Sequence, residues 1–354
     1  MIGDVVDASA WLYQWWGSLA WLVMVTFLAG TVAGYYDREH ARRIFVAGWV
    51  VLAVLWLASI YQFVFDQKSI TQGLGVILGV PVSLYVGYLL ASGRDGLLVV
   101  SRAVGVMWAV YLPLSSVSVL RDPMIEMVTH QTAAVLSLLT GEFTLVEGNN
   151  FPAGVNPGPS PDFSMSFVFQ HPESTDIVYT IILACTGLGS IAIFAGLIAA
   201  VKAPIRRKLK AFAAAFAIIY VLNILRNVFI AYTFGLQKLQ IAPETIASLF
   251  SLSSTAKVSY FVSDRIISQF LTVVALVGIT YIVIKLLPEV LTIVEEALYV
   301  VTRDEYDLRA ALDIDTGPDT PMAAEARADG GAPESGHPER SDPGDSPVEG
   351  DDGD

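Results

Sequence analysis

Apolar residues run almost unbroken by charge through seven stretches of the chain: 16–36, 44–65, 74–92, 97–120, 177–201, 211–235 and 260–287. A helix needs about 20 such residues to cross the ~30 Å hydrocarbon core of a bilayer. The pattern therefore predicts an all-α polytopic integral membrane protein with about seven transmembrane helices. Asp4 and Asp7 precede the first stretch where a signal peptide would carry basic residues, and "GTVAGYYDREHARR" continues without an evident cleavage site. The first stretch is thus expected to stay as a span. Pro81 and Pro113 fall inside spans, which neighbouring helices in a membrane tolerate.

Short loops rich in Lys and Arg stay on the cytoplasmic side. Arg38, Arg42 and Arg43 follow the first span, Arg94 separates the third and fourth, and "KAPIRRKLK" follows the fifth. The expected orientation has the N-terminus outside and the C-terminus in the cytoplasm. Residues 1–120 then hold four N-terminal spans and residues 121–176 form an extracellular domain. Residues 177–287 carry three further spans, and 288–312 form a juxtamembrane cytoplasmic segment. Residues 236–259 make a second outside loop.

Composition agrees with this class. The chain is 54% hydrophobic and only 16% charged, and it has a single cysteine. An intramolecular disulfide and a multi-cysteine metal site are excluded. The net charge of −13 is concentrated toward the end of the chain. Residues 313–354 mix Asp and Glu with Pro, Gly and Ser and have almost no large apolar side chain. Such a tail cannot bury enough surface to offset its ordering entropy and is expected to be disordered, a form that suits high salt. The basic footprint of a nucleic-acid partner is missing.

Polar residues inside the spans then stand out. Cys185 lies about 12 Å into the fifth span from the outer side, Arg226 about 14 Å into the sixth and Arg265 about 8 Å into the seventh, at 1.5 Å per residue. A thiol and two guanidiniums thus meet near one level in the outer half of the membrane. An intramembrane arginine costs about 2.5–3.5 kcal/mol on insertion scales, so two of them require a reason. Asn223, Arg226 and Asn227 share one helical face, and Arg265, Ser268 and Gln269 form a similar stripe. Asp264 is positioned to pair with either arginine, which would be a purely structural role.

A fixed cation favours a thiolate over a thiol, and a second can stabilise the oxyanion of a tetrahedral intermediate. Cys185 with Arg226 and Arg265 is therefore a candidate acyl-transfer site without histidine. Thr186, Asn223, Asn227 and Asp264 are its candidate supporting residues. Of the four histidines, His40 is cytoplasmic, His337 is in the tail, and His130 and His171 are in the outside domain; His171 is the one rival base. Two other classes share some of these features. A transporter also keeps polar residues near the midplane, with Cys185 then a packing residue. An intramembrane serine protease would need a histidine within a span, and the spans have none.

"ACTGLGS" around Cys185, "NILRN" around Arg226 and "SDRIISQ" around Arg265, in this order, resemble the archaeosortase/exosortase family. At the third position many bacterial exosortases have His; Arg265 matches the haloarchaeal archaeosortase branch. The motif-bearing resemblance covers residues 175–287. It implies a membrane-embedded cysteine transpeptidase with no cofactor and no metal. Its implied substrates carry a C-terminal sorting signal: a Pro-Gly-Phe motif, a transmembrane helix and a basic tail, as in the S-layer glycoprotein. The implied chemistry runs through a thioester on Cys185, and a membrane lipid serves as acyl acceptor. The active site would face the extracellular side of the cell membrane.

Overall fold

The computed structural model describes residues 2–66, 70–148, 150–151, 165–170 and 176–311, all within one compact unit, Met1–Asp313. The predicted disordered tail, with His337, and the Pro- and Gly-rich stretch of the expected outside domain lie outside the described residues, as does His171.

The first four predicted spans form as helices. After α1 (Ile2–Tyr13) come α2 (Trp16–Ala33), α3 (Arg38–Ile60, continued by a π-helical stretch Tyr61–Asp66), α4 (Ile70–Ala91) and α5 (Leu97–Ser116). Asp37 starts α3 by accepting the Glu39 N–H at 2.7 Å from an extended backbone, an N-cap. Pro81 and Pro113 sit within α4 and α5. Phe27, Phe45, Trp49 and Leu112 anchor one apolar core among these helices, crossed by a hydrogen bond from Trp49 Nε1 to Ser101 Oγ at 2.9 Å.

The segment expected as an outside domain begins with a helix, α6 (Ser118–Leu136), directly after α5. A small antiparallel sheet follows: β1 (Thr144–Glu147), β2 (Met165–Phe169) and β3 (Ile177–Tyr179), in that order across the sheet. The fold is thus mostly helical with one small sheet added. Phe167, Phe169 and Tyr179 pack with Ile181 against Ile224, Val228 and Ile230 in a second core.

The fifth predicted span differs from the expectation. Residues 177–201 begin as a strand, turn through a 3₁₀ segment Leu183–Cys185, and become helical only in α7 (Leu188–Ala200). That helix has 13 residues, about 20 Å, short of the ~30 Å core. The reason is local. Ile177, Val178 and Tyr179 favour a strand and find a partner in β2, with Phe167 opposite Tyr179 and Val168 opposite Val178. Gly187 then takes a left-handed turn, φ 80°, that starts the helix afresh. An apolar run by itself does not separate a buried strand from a helix. α7 also lies close to α5, since a Cβ on Gly196 would stand 2.3 Å from the Ala103 carbonyl oxygen.

The chain continues through α8 (Ile205–Gly235), α9 (Pro243–Leu249) and α10 (Lys257–Tyr260). A π-helical stretch, Phe261–Ser268, joins α10 to α11 (Gln269–Leu286). A 3₁₀ turn leads into α12 (Leu291–Thr302), and α13 (Leu308–Ala311) closes the described chain. Among the described residues six helices are long and apolar enough to cross a membrane, and the last, Lys257–Leu286, is the least buried of them. At the end of α8 far from Arg226, Arg207 holds the buried Glu289 through two hydrogen bonds, at 2.8 and 3.2 Å. Arg94 similarly grips Glu296 of α12, at 2.7 and 3.2 Å.

Candidate active site

Cys185 ends the 3₁₀ segment, ahead of the first turn of α7. Its N–H donates to the Ile182 carbonyl at 2.8 Å. Its carbonyl precedes the helix, so it needs donors from elsewhere. Asn223 and Asn227, one helical turn apart on α8, supply them: both Nδ2 groups donate to the Cys185 oxygen, at 2.7 and 2.8 Å. Asn227 is fully buried, and its Oδ1 accepts from the Tyr179 hydroxyl at 3.3 Å. Thr186 braces the same turn by donating to the Leu183 carbonyl at 2.7 Å. Gly187 lies so close that an added Cβ would stand 3.2 Å from Asn223 Cγ. The nucleophile candidate is therefore held through its backbone, by its own turn at Ile182 and by α8, whose Asn227 is fixed in turn by Tyr179 of β3.

The two arginines meet at Asp264. Arg226 Nη2 donates to Asp264 Oδ1 at 2.6 Å, and Arg265 Nε lies 3.5 Å from Oδ2. Tyr260, one helical turn before Asp264, is a further polar neighbour of this carboxylate. Asp264 is buried and belongs to the π-helical stretch, a rare geometry that is frequent at functional sites. Arg226 lies between Asn223 and Asn227 on α8, so the turn that carries Cys185 packs onto α8 at the level of this ion cluster. The carboxylate thus pairs with both arginines, where the sequence left a choice between them. Two guanidiniums sharing one carboxylate leave a net positive charge at the site.

All seven residues singled out in the sequence come together here, although Cys185 stands in a turn and not in a long helix. Two neighbours were missed. Tyr179 lies six residues before Cys185 on the strand read as a span, so no signal marked it. Tyr260 precedes Asp264 by one helical turn, a spacing visible in "YFVSD". Of the described histidines, His40 Nδ1 pairs with Asp37 and His130 is exposed on α6. Among the described residues no cluster of His, Cys, Asp or Glu could hold a metal ion.

Residues 11–252 match a family model described as transmembrane exosortase, a stretch that includes Cys185 and Arg226. Archaeosortase A of Haloferax volcanii is 45% identical over 307 residues, 84% of this chain and 97% of that protein. Archaeosortase A of Natronomonas pharaonis is 41% identical over 289 residues, 81% of this chain and 89% of that protein. No solved structure matches the chain.

Proposed function

The chain belongs to the transmembrane exosortase family, and from that premise we propose that Cys185 is the nucleophile of a membrane-embedded, archaeosortase-type cysteine transpeptidase. The observation that carries this reading is that Asn223 and Asn227 hold the turn with the chain's single thiol onto α8, flanking an Arg226 that shares one buried carboxylate with Arg265. A salt bridge that served stability alone would not need a second arginine, nor a thiol whose backbone two asparagines clamp.

The chemistry follows from these positions. The Cys185 thiolate adds to a peptide carbonyl of the substrate, and the oxyanion that forms is stabilised by a guanidinium and by the positive end of α7. The C–N bond then breaks. The amine leaves on the C-terminal helix, taking up the proton that the thiol gave up. A lipid head group bearing a hydroxyl or amine attacks the thioester, its proton returns to sulphur, and the substrate exchanges a peptide anchor for a lipid anchor. Arg226, bound tightly to Asp264, acts on the thiolate. Arg265, on the longer link, takes the substrate carbonyl. Asp264, Asn223, Asn227 and Thr186 are positioning residues. The substrate class is a surface protein with a C-terminal sorting signal, such as an S-layer glycoprotein with a Pro-Gly-Phe motif. The site opens to the extracellular side of the cell membrane, where that motif would lie.

Cys185→Ala and Cys185→Ser are expected to abolish processing while the protein still inserts in the membrane. The test is mass spectrometry of the C-terminus and lipidation of a candidate surface protein in cells carrying each variant. Normal maturation with Cys185→Ala would overturn the nucleophile assignment.

A further inference from the structure

The strand that leads to Cys185 stands at a sheet edge. β3 pairs with β2 on one side, and the sheet ends with it. The extended backbone runs on beyond β3. Along "IVYTII", residues 177–182, buried and more open positions alternate: Ile177, Tyr179 and Ile181 point inward, and Val178, Thr180 and Ile182 do not. Ile182 still has φ −108° and ψ 171°, and Thr180 Oγ1 lies 2.6 Å from Ser166 Oγ on β2. Cys185 follows three residues later. Among the described residues no backbone hydrogen bond meets the edge of 177–182 that faces away from β2; the one bond added to the ladder is the turn from the Cys185 N–H to the Ile182 carbonyl. Ile182, beside that turn, is 39% exposed. A free strand edge is a row of donors and acceptors, a template for another strand.

We propose that this edge binds the substrate as an added strand: an extended peptide segment pairs main chain to main chain along residues 177–182, parallel to β3, and so brings its scissile carbonyl to Cys185. This deepens the transpeptidase reading above and rests on it for the reaction and for the direction of the substrate chain. Three features select this occupant. The first is position. Strands in a sheet lie about 4.8 Å apart, so a peptide beside β3 is one spacing from the chain that carries the thiol; a peptide beyond β1, the other edge, would stand three spacings away, about 14 Å. The second is chemistry. Strand addition draws affinity from main-chain groups, which an extended peptide offers and a helix, bonded within itself, does not. The third is direction. Phe169, opposite Ile177, meets Gly235 at the end of α8, and Tyr179 meets Asn227, eight residues or about 12 Å back along that helix. β3 therefore descends toward Cys185. A substrate chain that passes from the outside into its own membrane helix descends in the same sense, which makes the pair parallel. Its helix then starts only after the bond that is cut.

The test traps the bound peptide by disulfide exchange. Full-length protein with Cys185→Ala, which removes the single thiol, carries either Val178→Cys or Ile182→Cys in nanodiscs of phosphatidylglycerol. The probe is a synthetic peptide with a Pro-Gly-Phe motif and a C-terminal apolar helix, and one cysteine is moved residue by residue through the segment ahead of the helix. Two cysteines link when their Cα atoms are about 4.4–6.8 Å apart, which neighbours on adjacent strands satisfy. Linking is expected to favour every second peptide position at least fivefold. The favoured position should move four residues toward the peptide's N-terminus when Val178→Cys replaces Ile182→Cys. A move toward the C-terminus would mean an antiparallel strand and overturn the proposal, and so would no move or no alternation. A second measurement uses the unaltered protein. N-methylation of alternate peptide amides ahead of the scissile bond should lower cleavage at least threefold, the worth of one hydrogen bond, and methylation of those between should not; a uniform effect along the peptide would count against strand pairing. Because trapping needs no catalytic thiol, the staggered links together with normal processing by Cys185→Ala would refute the transpeptidase reading and leave the strand site standing. Lost processing without such links would refute the strand site alone.

Discussion

Removing Asp264 should harm the protein more than removing the arginine it binds most closely. The carboxylate is buried between Arg226 at 2.6 Å and Arg265 at 3.5 Å. With an effective dielectric of about 20, charges about 4 Å apart attract by about 4 kcal/mol, and two guanidiniums about 7 Å apart repel by roughly 2 kcal/mol. Arg226→Ala loses the attraction but also relieves the repulsion, and Asp264 keeps Arg265; the net cost is about 1–2 kcal/mol. Asp264→Ala loses both attractions, about 8 kcal/mol together, and leaves two cations facing each other; with the carboxylate's own desolvation cost of several kcal/mol regained, the net loss should be about 3–5 kcal/mol, as for other broken buried pairs. The Asp264→Ala/Arg226→Ala double variant should then be more stable than Asp264→Ala alone, because it removes one uncompensated charge. Thermal unfolding of the four proteins in the same detergent, followed by tryptophan fluorescence, gives the order directly. A wild-type melting temperature for Asp264→Ala, or a lower one for Arg226→Ala than for Asp264→Ala, would refute the shared-carboxylate reasoning.

Other outcomes can be checked alongside. Asn223→Ala and Asn227→Ala should each lower kcat for cleavage by about 3–10-fold, the worth of one hydrogen bond, with KM little changed; the double variant, which strips the Cys185 carbonyl of both donors, should exceed the product of the two, and simple additivity would count against the clamp. Gly187→Ala should destabilise by about 1–2 kcal/mol from its left-handed backbone alone and should lower activity further by pushing on Asn223, as read by melting and cleavage assays. In a Cys185→Ala background, Glu142→Cys should react with a membrane-impermeant maleimide in intact cells and Arg206→Cys should not; the reverse pattern would turn the site toward the cytoplasm.

Much of this protein was legible along the chain. The bilayer demands long apolar helices, so α2, α3, α4, α5 and α8 showed in hydropathy alone, and so did the helical run from α10 through α11. The cost of an arginine in hydrocarbon made Arg226 and Arg265 conspicuous, and helical spacing set Asn223, Arg226 and Asn227 on one face. Tertiary structure decided the rest. Whether 177–201 crosses as a helix depended on β2, a partner far enough away in sequence that the apolar run itself could not specify it. Which charge Asp264 balances depended on how α8 approaches the π-helical stretch, and it proved to be both. The carbonyl that Asn223 and Asn227 were polar for belongs to Cys185, and only the packing of α8 against the turn before α7 could bring those three groups together.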